Sequence, residues 1–188
     1  MITIIKSILP YTVLPFIGVL FYVLGRAFRD GIKNMKIYVL IFVFLDQIIK
    51  IFLQYFINIK KCSINNNYIF PQQNHYASFL GSILDRKLSI FSLLILNIIL
   101  IYVVYYMYMA HVKKYGKSFW SDMFFIFMCS GLICSFIDKV FFGGSLDYIN
   151  IYNIILVDMK DIYFLLSIIL LLCEVILNEK VDILLNKN

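Results

Sequence analysis

Long apolar stretches separated by short polar ones run the whole length of this chain. They cover residues 2–24, 37–59, 88–112, 119–137 and 162–177. A helix that crosses a bilayer needs about 20 mostly apolar residues, so each stretch predicts a membrane helix. The last is short and needs flanking residues to span. No helix-length repeat is visible, which leaves a transporter built from two similar halves without support.

The first stretch could be mistaken for a cleaved signal peptide. Its apolar part is too long, only Lys6 precedes it, and no small-x-small cleavage site follows. Pro10 and Pro15 interrupt it, and Arg26, Arg29, Lys33 and Lys36 come directly after it. It reads as a retained helix or as a Pro-broken, partly inserted segment.

Composition narrows the class. Hydrophobic residues make up 62% of the 188 residues and charged ones 15%, against about a quarter charged in a soluble domain. Disorder, a disulfide scaffold and a collagen-like fibre are excluded, and a polytopic membrane protein remains. The net charge of +6 is spread over the short connections rather than gathered in one patch, so no nucleic-acid partner is expected. Cys62, Cys129, Cys134 and Cys173 have no metal-ligand spacing and read as inert packing thiols.

Lysine and arginine in short loops set orientation. The connection after the first stretch holds four, and residues 110–118 hold Lys113, Lys114 and Lys117 with no acid. Both fall on one side if the helices alternate, and that side is the cytoplasm. The connections 60–87 and 138–160 are then extracytoplasmic and the C-terminus cytoplasmic. Tyr68, Phe70, Tyr76 and Phe79 in the first outer connection suit a flap at the lipid boundary, or ordinary interfacial anchors.

Within or at the ends of the apolar runs stand Asp46, Lys50, Asp138, Lys139, Asp147, Asp158 and Asp161. An ionisable group at membrane depth costs about 2.5–3.5 kcal/mol even on lenient scales, so each needs a reason. Asp46 and Lys50 are four residues apart on one helix and can pair, as a packing device or as part of a site; Lys50 alone could also snorkel outward. The other acids cluster in the outer connection before the last helix. Two carboxylates held close share a proton, activate a water and protonate a leaving group. The plainer readings are a helix cap for Asp158 or Asp161 and a turn position for Asp147 after Gly143, Gly144 and Ser145.

Four blocks in order resemble the signal peptidase II family, the lipoprotein signal peptidases. FLDQIIK is similar to its D-Q-x-x-K pattern and supplies Asp46, Gln47 and Lys50. NHYASFLG is similar to the N-x-G-x-A-F block and supplies Asn74 and Phe79. GLICSFIDKVFFGGSLDYI resembles G-x-x-G-N-x-x-D-R followed by V-x-D-F, with Ser135 at the asparagine, Lys139 at the arginine, and Asp138 and Asp147 at the aspartates. VDMKDIYFLLSIILLL resembles F-N-x-A-D opening the last helix, which places Asp158 at the asparagine, Lys160 at the alanine and Asp161 at the aspartate. Tyr76 and Ser78 replace the glycine and alanine of the second block, and Cys134 the second glycine of the third.

The resemblance implies an all-α polytopic membrane protein with a four-helix transmembrane core over residues 37–188. An extra apolar segment with its basic loop, residues 1–36, precedes that core. A small extracytoplasmic region has room for short strands. It implies an aspartic endopeptidase that removes signal peptides from diacylglyceryl-modified prolipoproteins, with Asp147 and Asp161 as the catalytic pair. Asp46, Lys50, Asn74, Phe79, Ser135, Asp138, Lys139 and Asp158 become supporting or substrate-binding residues. No metal or organic cofactor is implied, membrane lipids are the other partner, and a monomer is expected. Asp158 stands three residues from Asp161 and competes with it for the role of second acid. An inactive relative that binds lipoprotein signal peptides or lipids, and a small transporter, are the rival functions.

Overall fold

The computed structural model describes residues 32–60, 69–74, 89–151 and 155–178. The first apolar stretch up to residue 31, Cys62, Tyr68, Tyr76 and Phe79 lie outside the described residues. Among the described residues, four helices and three strands follow in the order α1 (Met35–Lys60), β1 (Ile69–Asn74), α2 (Ile90–Tyr115), α3 (Phe119–Phe141), β2 (Ser145–Ile151), β3 (Ile155–Val157) and α4 (Met159–Leu177). Met35–Tyr55, Ile90–Tyr115 and Phe119–Phe141 are long and apolar enough to cross a membrane. The fold is therefore mostly helical, with a small sheet added.

The helices are inverted relative to those of a water-soluble protein. On α1 the outward residues Leu40, Phe44, Ile51 and Phe52 are apolar and exposed. Its inward stripe is Val39, Val43, Asp46 and Lys50, all buried and spaced four, three and four residues apart. That spacing puts them on one face, so the two charges point into the bundle and the hydrocarbons point out. The central helix is α3, which packs against α1, α2 and α4. Against α4 it does so closely: a Cβ added at Gly131 would stand 2.8 Å from the ring of Phe164. Cys129 and Cys134 on α3 are buried free thiols.

Local signals mark the helix ends. Ser89 caps α2 by accepting from the backbone N–H of Ser92. Gly116, at φ 86°, ends α2 in a conformation glycine adopts most readily. Ser118 and Ser121 then open α3 as a capping box. The connection is so short that α2 and α3 run antiparallel.

At this end of the bundle the Glu174 carboxylate, 1% exposed, is ringed by donors. It bonds His111 Nε2 at 2.7 Å, accepts from Asn178 Nδ2 at 2.7 Å and from the Ser118 hydroxyl, and so ties α4 to α2 and α3. Asp122, four residues after Ser118, is fully buried and accepts from the Tyr108 hydroxyl and the Ile32 N–H, each at 2.6 Å. Glu174→Gln turns an amide donor toward other donors. Its expected effect is a loss of about 1–3 kcal/mol, read as a lower unfolding temperature in detergent.

The opposite end carries the sheet, in the order β1-β2-β3. β1 lies antiparallel to β2 with Gln72 opposite Asp147 and Asn74 opposite Ser145. The register shifts between Ile69 and Gln72, where Pro71 cannot donate to a ladder, and β1 is an edge strand as such a proline requires. β2 pairs with β3 from Ile149–Val157 to Ile151–Ile155. The connections after α1 and after α3 thus meet in one sheet, and both lie at the same end of the bundle. Asp147 is accordingly a strand residue and not a turn residue: Leu146, Asp147 and Tyr148 continue straight from the bend at Phe142–Gly144 into the ladder.

Candidate active site

Four elements deliver polar side chains to the sheet end of the bundle. From α1 come Asp46, Gln47 and Lys50; from α3, Ser135, Asp138 and Lys139; from β2, Ser145 and Asp147; from the start of α4, Asp158, Lys160 and Asp161. All but Gln47 and Asp161 are buried. Lys50 is the hub. Its ammonium lies 2.8 Å from Asp46, 2.7 Å from Asp138 and 2.8 Å from Asp158. It is 0% exposed, so it does not snorkel to the surface. The i, i+4 pair expected from α1 exists, and it is one arm of a larger network that joins three elements.

Around the hub the remaining acceptors are met by neutral donors and a second lysine. Gln47 Nε2 donates to Asp46 Oδ2 at 3.1 Å and to Asp138 Oδ1 at 3.3 Å. Lys160 Nζ binds the Asp158 carboxylate and the Ser145 hydroxyl, and lies 3.2 Å from Asp138 Oδ2. Lys139 departs from the role its motif position implies. It makes no ion pair with Asp138 among the described residues; its ammonium donates to Ser135 Oγ at 2.5 Å and to the Ser135 carbonyl at 3.2 Å. A lysine cannot form the two parallel bonds of an arginine fork, and here it folds back along its own helix instead.

Asp147, Asp158 and Asp161 each bring one carboxylate oxygen to within 4.8 Å of the others. Two hydrogen bonds of about 2.8 Å through one water span a gap of that size. By distance alone three acids so placed also suit a hard cation, but Lys160 already sets a positive charge on Asp158. The Ser145 hydroxyl donates to Asp147 Oδ1 at 2.7 Å.

Asp158 and Asp161 differ sharply in how far they are committed. Asp158 is the N-cap of α4, its Oδ1 accepting from the Asp161 N–H at 3.2 Å. Its Oδ2 is taken by Lys50, Lys160 and Ser145. Asp161 returns the cap with Oδ2, which accepts from the Asp158 N–H at 3.2 Å; among the described residues its Oδ1 has no partner. Asp158 and Asp161 both stand ahead of the apolar run that starts at Ile162, and their protonation diverges. Burial raises the Asp158 carboxyl, but the ammonium groups of Lys160 and Lys50 outweigh it and hold it below the usual carboxylate range. Burial, followed by the charge of Asp158, pushes Asp161 up to about 6.

The sequence-predicted residues Asp46, Lys50, Ser135, Asp138, Lys139, Asp147, Asp158 and Asp161 therefore meet in one cluster. Asn74 reaches it by backbone register, opposite Ser145. Phe79 lies outside the described residues. Ser145, named only as preceding Asp147, and Lys160, which stands at the alanine of its motif, are full members. The signal for both was their position: each is within two residues of an acid that the motifs single out.

Buried carboxylates and ammonium groups at one end of a bundle of apolar-faced helices define a membrane protein with an acid-rich site. Residues 38–177 match the sequence model of the family described as "Signal peptidase (SPase) II", and the chain belongs to that family. The family acts on lipoproteins in membranes and is one of aspartic peptidases, so at that level the chain is an integral membrane protein of aspartic-peptidase kind. A solved structure described as a bacterial membrane enzyme, determined by the in meso method at 2.3 Å, is similar in fold, with a TM-score of 0.60. The two are 17% identical, over 78% of this chain and 90% of that one. Comparison with curated proteins gives no match.

Proposed function

We propose that this protein is an intramembrane aspartic endopeptidase that removes the signal peptide from diacylglyceryl-modified prolipoproteins, with Asp147 and Asp161 as its catalytic pair. The observation that carries the reading is the gathering of these carboxylates within 4.8 Å at one end of a membrane bundle. Asp161 is the second acid in preference to Asp158, because both oxygens of Asp158 are already held by the cap and by two lysines.

In this reading residues 37–188 are the peptidase domain and residues 1–36 an addition to it. All four helices cross the membrane, α4 through the apolar run that starts at Ile162. The sheet end faces outward and the C-terminus is cytoplasmic, as the lysine-rich connection 110–118 requires. The apolar helix of the substrate lies among the enzyme's helices, and its cleavage site meets the acid pair near the lipid boundary. Asn74 and Phe79, carried over from the motif, are assigned to substrate binding.

The chemistry needs one ionised and one protonated carboxyl. The carboxylate takes a proton from water as the water oxygen adds to the scissile carbonyl carbon. The protonated acid gives its proton as the C–N bond breaks, so the products are a carboxyl terminus and an amine. No other reactant is consumed. Activity is therefore expected to fall as pH rises through about 6, where Asp161 loses its proton. That limb belongs to the coupled pair, and kcat/KM for a lipidated peptide, followed from about pH 4 to pH 9, reads it in the free enzyme. An alkaline limb absent over that range would overturn the role of Asp161 as proton carrier.

The direct test is incubation of the purified protein with a diacylglyceryl-modified precursor and a gel that resolves precursor from product. Cleavage before the modified cysteine is the expected result. Binding without cleavage would replace the proposal with an inactive, lipopeptide-binding relative. Asp46 and Lys50 sit in the same cluster as the outer acids instead of marking a path through the bundle, which removes the observation a transporter reading needs.

A further inference from the structure

Two buried side-chain donors have no hydrogen-bond partner among the described residues, the Tyr148 hydroxyl and the Asn97 amide Nδ2. Tyr148 lies on β2, outside the helices, and its hydroxyl can turn to suit a neighbour. Asn97 is 6% exposed on α2, inside the span Ile90–Tyr115, where no water relieves an unmade bond. An amide donor buried there unpaired is costly and needs a reason.

Helix geometry places that amide. α2 and α4 both start at the sheet end and run in the same direction, and His111 Nε2 meets Glu174 Oε1 at 2.7 Å near their far ends. Asn97 lies 14 residues before His111, and Asp161 lies 13 before Glu174. At about 1.5 Å per residue both stand about 20 Å from that contact, so Asn97 is level with Asp161. At about 100° per residue Asn97 points between Tyr108 and His111, about 20° from the first and about 40° from the second. Tyr108 reaches Asp122 on α3, and His111 reaches α4. The Asn97 amide is therefore aimed into the bundle between α3 and α4, at the height of the acids.

The donors of the acid cluster itself are taken. Lys50 is shared by three acids, Lys160 holds Asp158, and Lys139 lies on Ser135. Gln47 donates to Asp46 and Asp138, and Ser145 to Asp147. A signal peptide presented as a membrane helix ends at the cut, and the last four carbonyls of a helix have no donor within it. In hydrocarbon the enzyme has to supply one. We propose that Asn97 is a substrate-binding residue: its amide donates to a main-chain carbonyl of the signal peptide, on the membrane side of the bond that Asp147 and Asp161 cut. The inference rests on the peptidase reading above. It gives α2 a part in the site, where the motifs place no residue of that helix.

The test begins with Asn97→Leu, which is close in size and lacks the amide. In detergent the full-length variant is expected to unfold at the wild-type temperature or above, since the donor it loses is unpaired in the free protein. With a diacylglyceryl-modified precursor its KM is expected to rise by about 5- to 100-fold, with kcat within about twofold of wild type. Wild-type kinetics, or a lowered unfolding temperature with KM unchanged, would overturn the proposal. If Asn97→Leu does not fold, NMR carries the test. In Asp161→Asn protein with ¹⁵N-labelled asparagine, the Asn97 amide signal, assigned by its absence in Asn97→Gln, is expected to move when the precursor is added. An unmoved signal, or one moved equally by a diacylglycerol alone, overturns the assignment. The two readings fail separately: a precursor that moves the signal in a protein that cleaves nothing defeats the peptidase reading alone, and cleavage with an unchanged KM in Asn97→Leu defeats the Asn97 contact alone.

Discussion

Asp147→Asn and Asp161→Asn are each expected to stop conversion of a lipidated precursor, with rates down by about 10²–10⁴. The reason is chemical rather than structural. An asparagine at 147 still accepts from Ser145, and one at 161 still returns the cap to the Asp158 N–H through its amide oxygen. Neither amide takes a proton from water or gives one to a leaving nitrogen. Both variants should therefore insert and unfold at nearly the wild-type temperature while the precursor band persists. Asp158→Asn is expected to slow turnover far less, because Asp158 acts through the lysines it binds. Full activity in either of the first two variants would sink the pair.

The largest effect on stability is expected at Lys50. Lys50→Met leaves Asp46, Asp138 and Asp158 without the ammonium that lies within 2.8 Å of all three. Removing one partner of a buried ion pair destabilises by about 3–5 kcal/mol, because the remaining charge stays desolvated. Here the lysine has three partners and is itself fully buried. The variant should accumulate poorly in membranes and, once purified, unfold at a much lower temperature. Adding Asp46→Asn removes one of the three stranded acids and is expected to restore part of the loss. A Lys50→Met protein as stable as wild type would show that Lys160 and Gln47 alone compensate the cluster.

How far the sequence reached depended on the range of the interaction. The four described helices were legible because the bilayer sets the length of such segments and the apolar runs are of about that length. The Asp46–Lys50 pair was legible because four residues along a helix is a local distance. Its ties to Asp138 and Asp158 were not, since no local pattern reveals which helices touch. Asp158 as a cap could be read from its place before an apolar run. Asp147 was open to a turn reading because two glycines and a serine precede it; its strand depends on β1, more than 70 residues earlier in the chain. Glu174 and Asp122 escaped notice because single acids near helix ends resemble solvated positions. Only the donors around them, from α2, α3 and the segment before α1, show that they are buried.

The three-armed hub also bears on how the chain is made. Asp138 lies 88 residues after Lys50, so at a synthesis rate of about 5–20 residues per second α1 exists for about 4–18 seconds before that acid emerges. During this interval Asp46 is the one arm of the hub already present, one helical turn away. A local pair that offsets part of the charge lets α1 enter the bilayer first and wait there. When α3 and then α4 arrive, each brings an acid that the waiting lysine captures. The salt bridge within α1 is thus the one arm of the hub that can form before the other two partners have been translated.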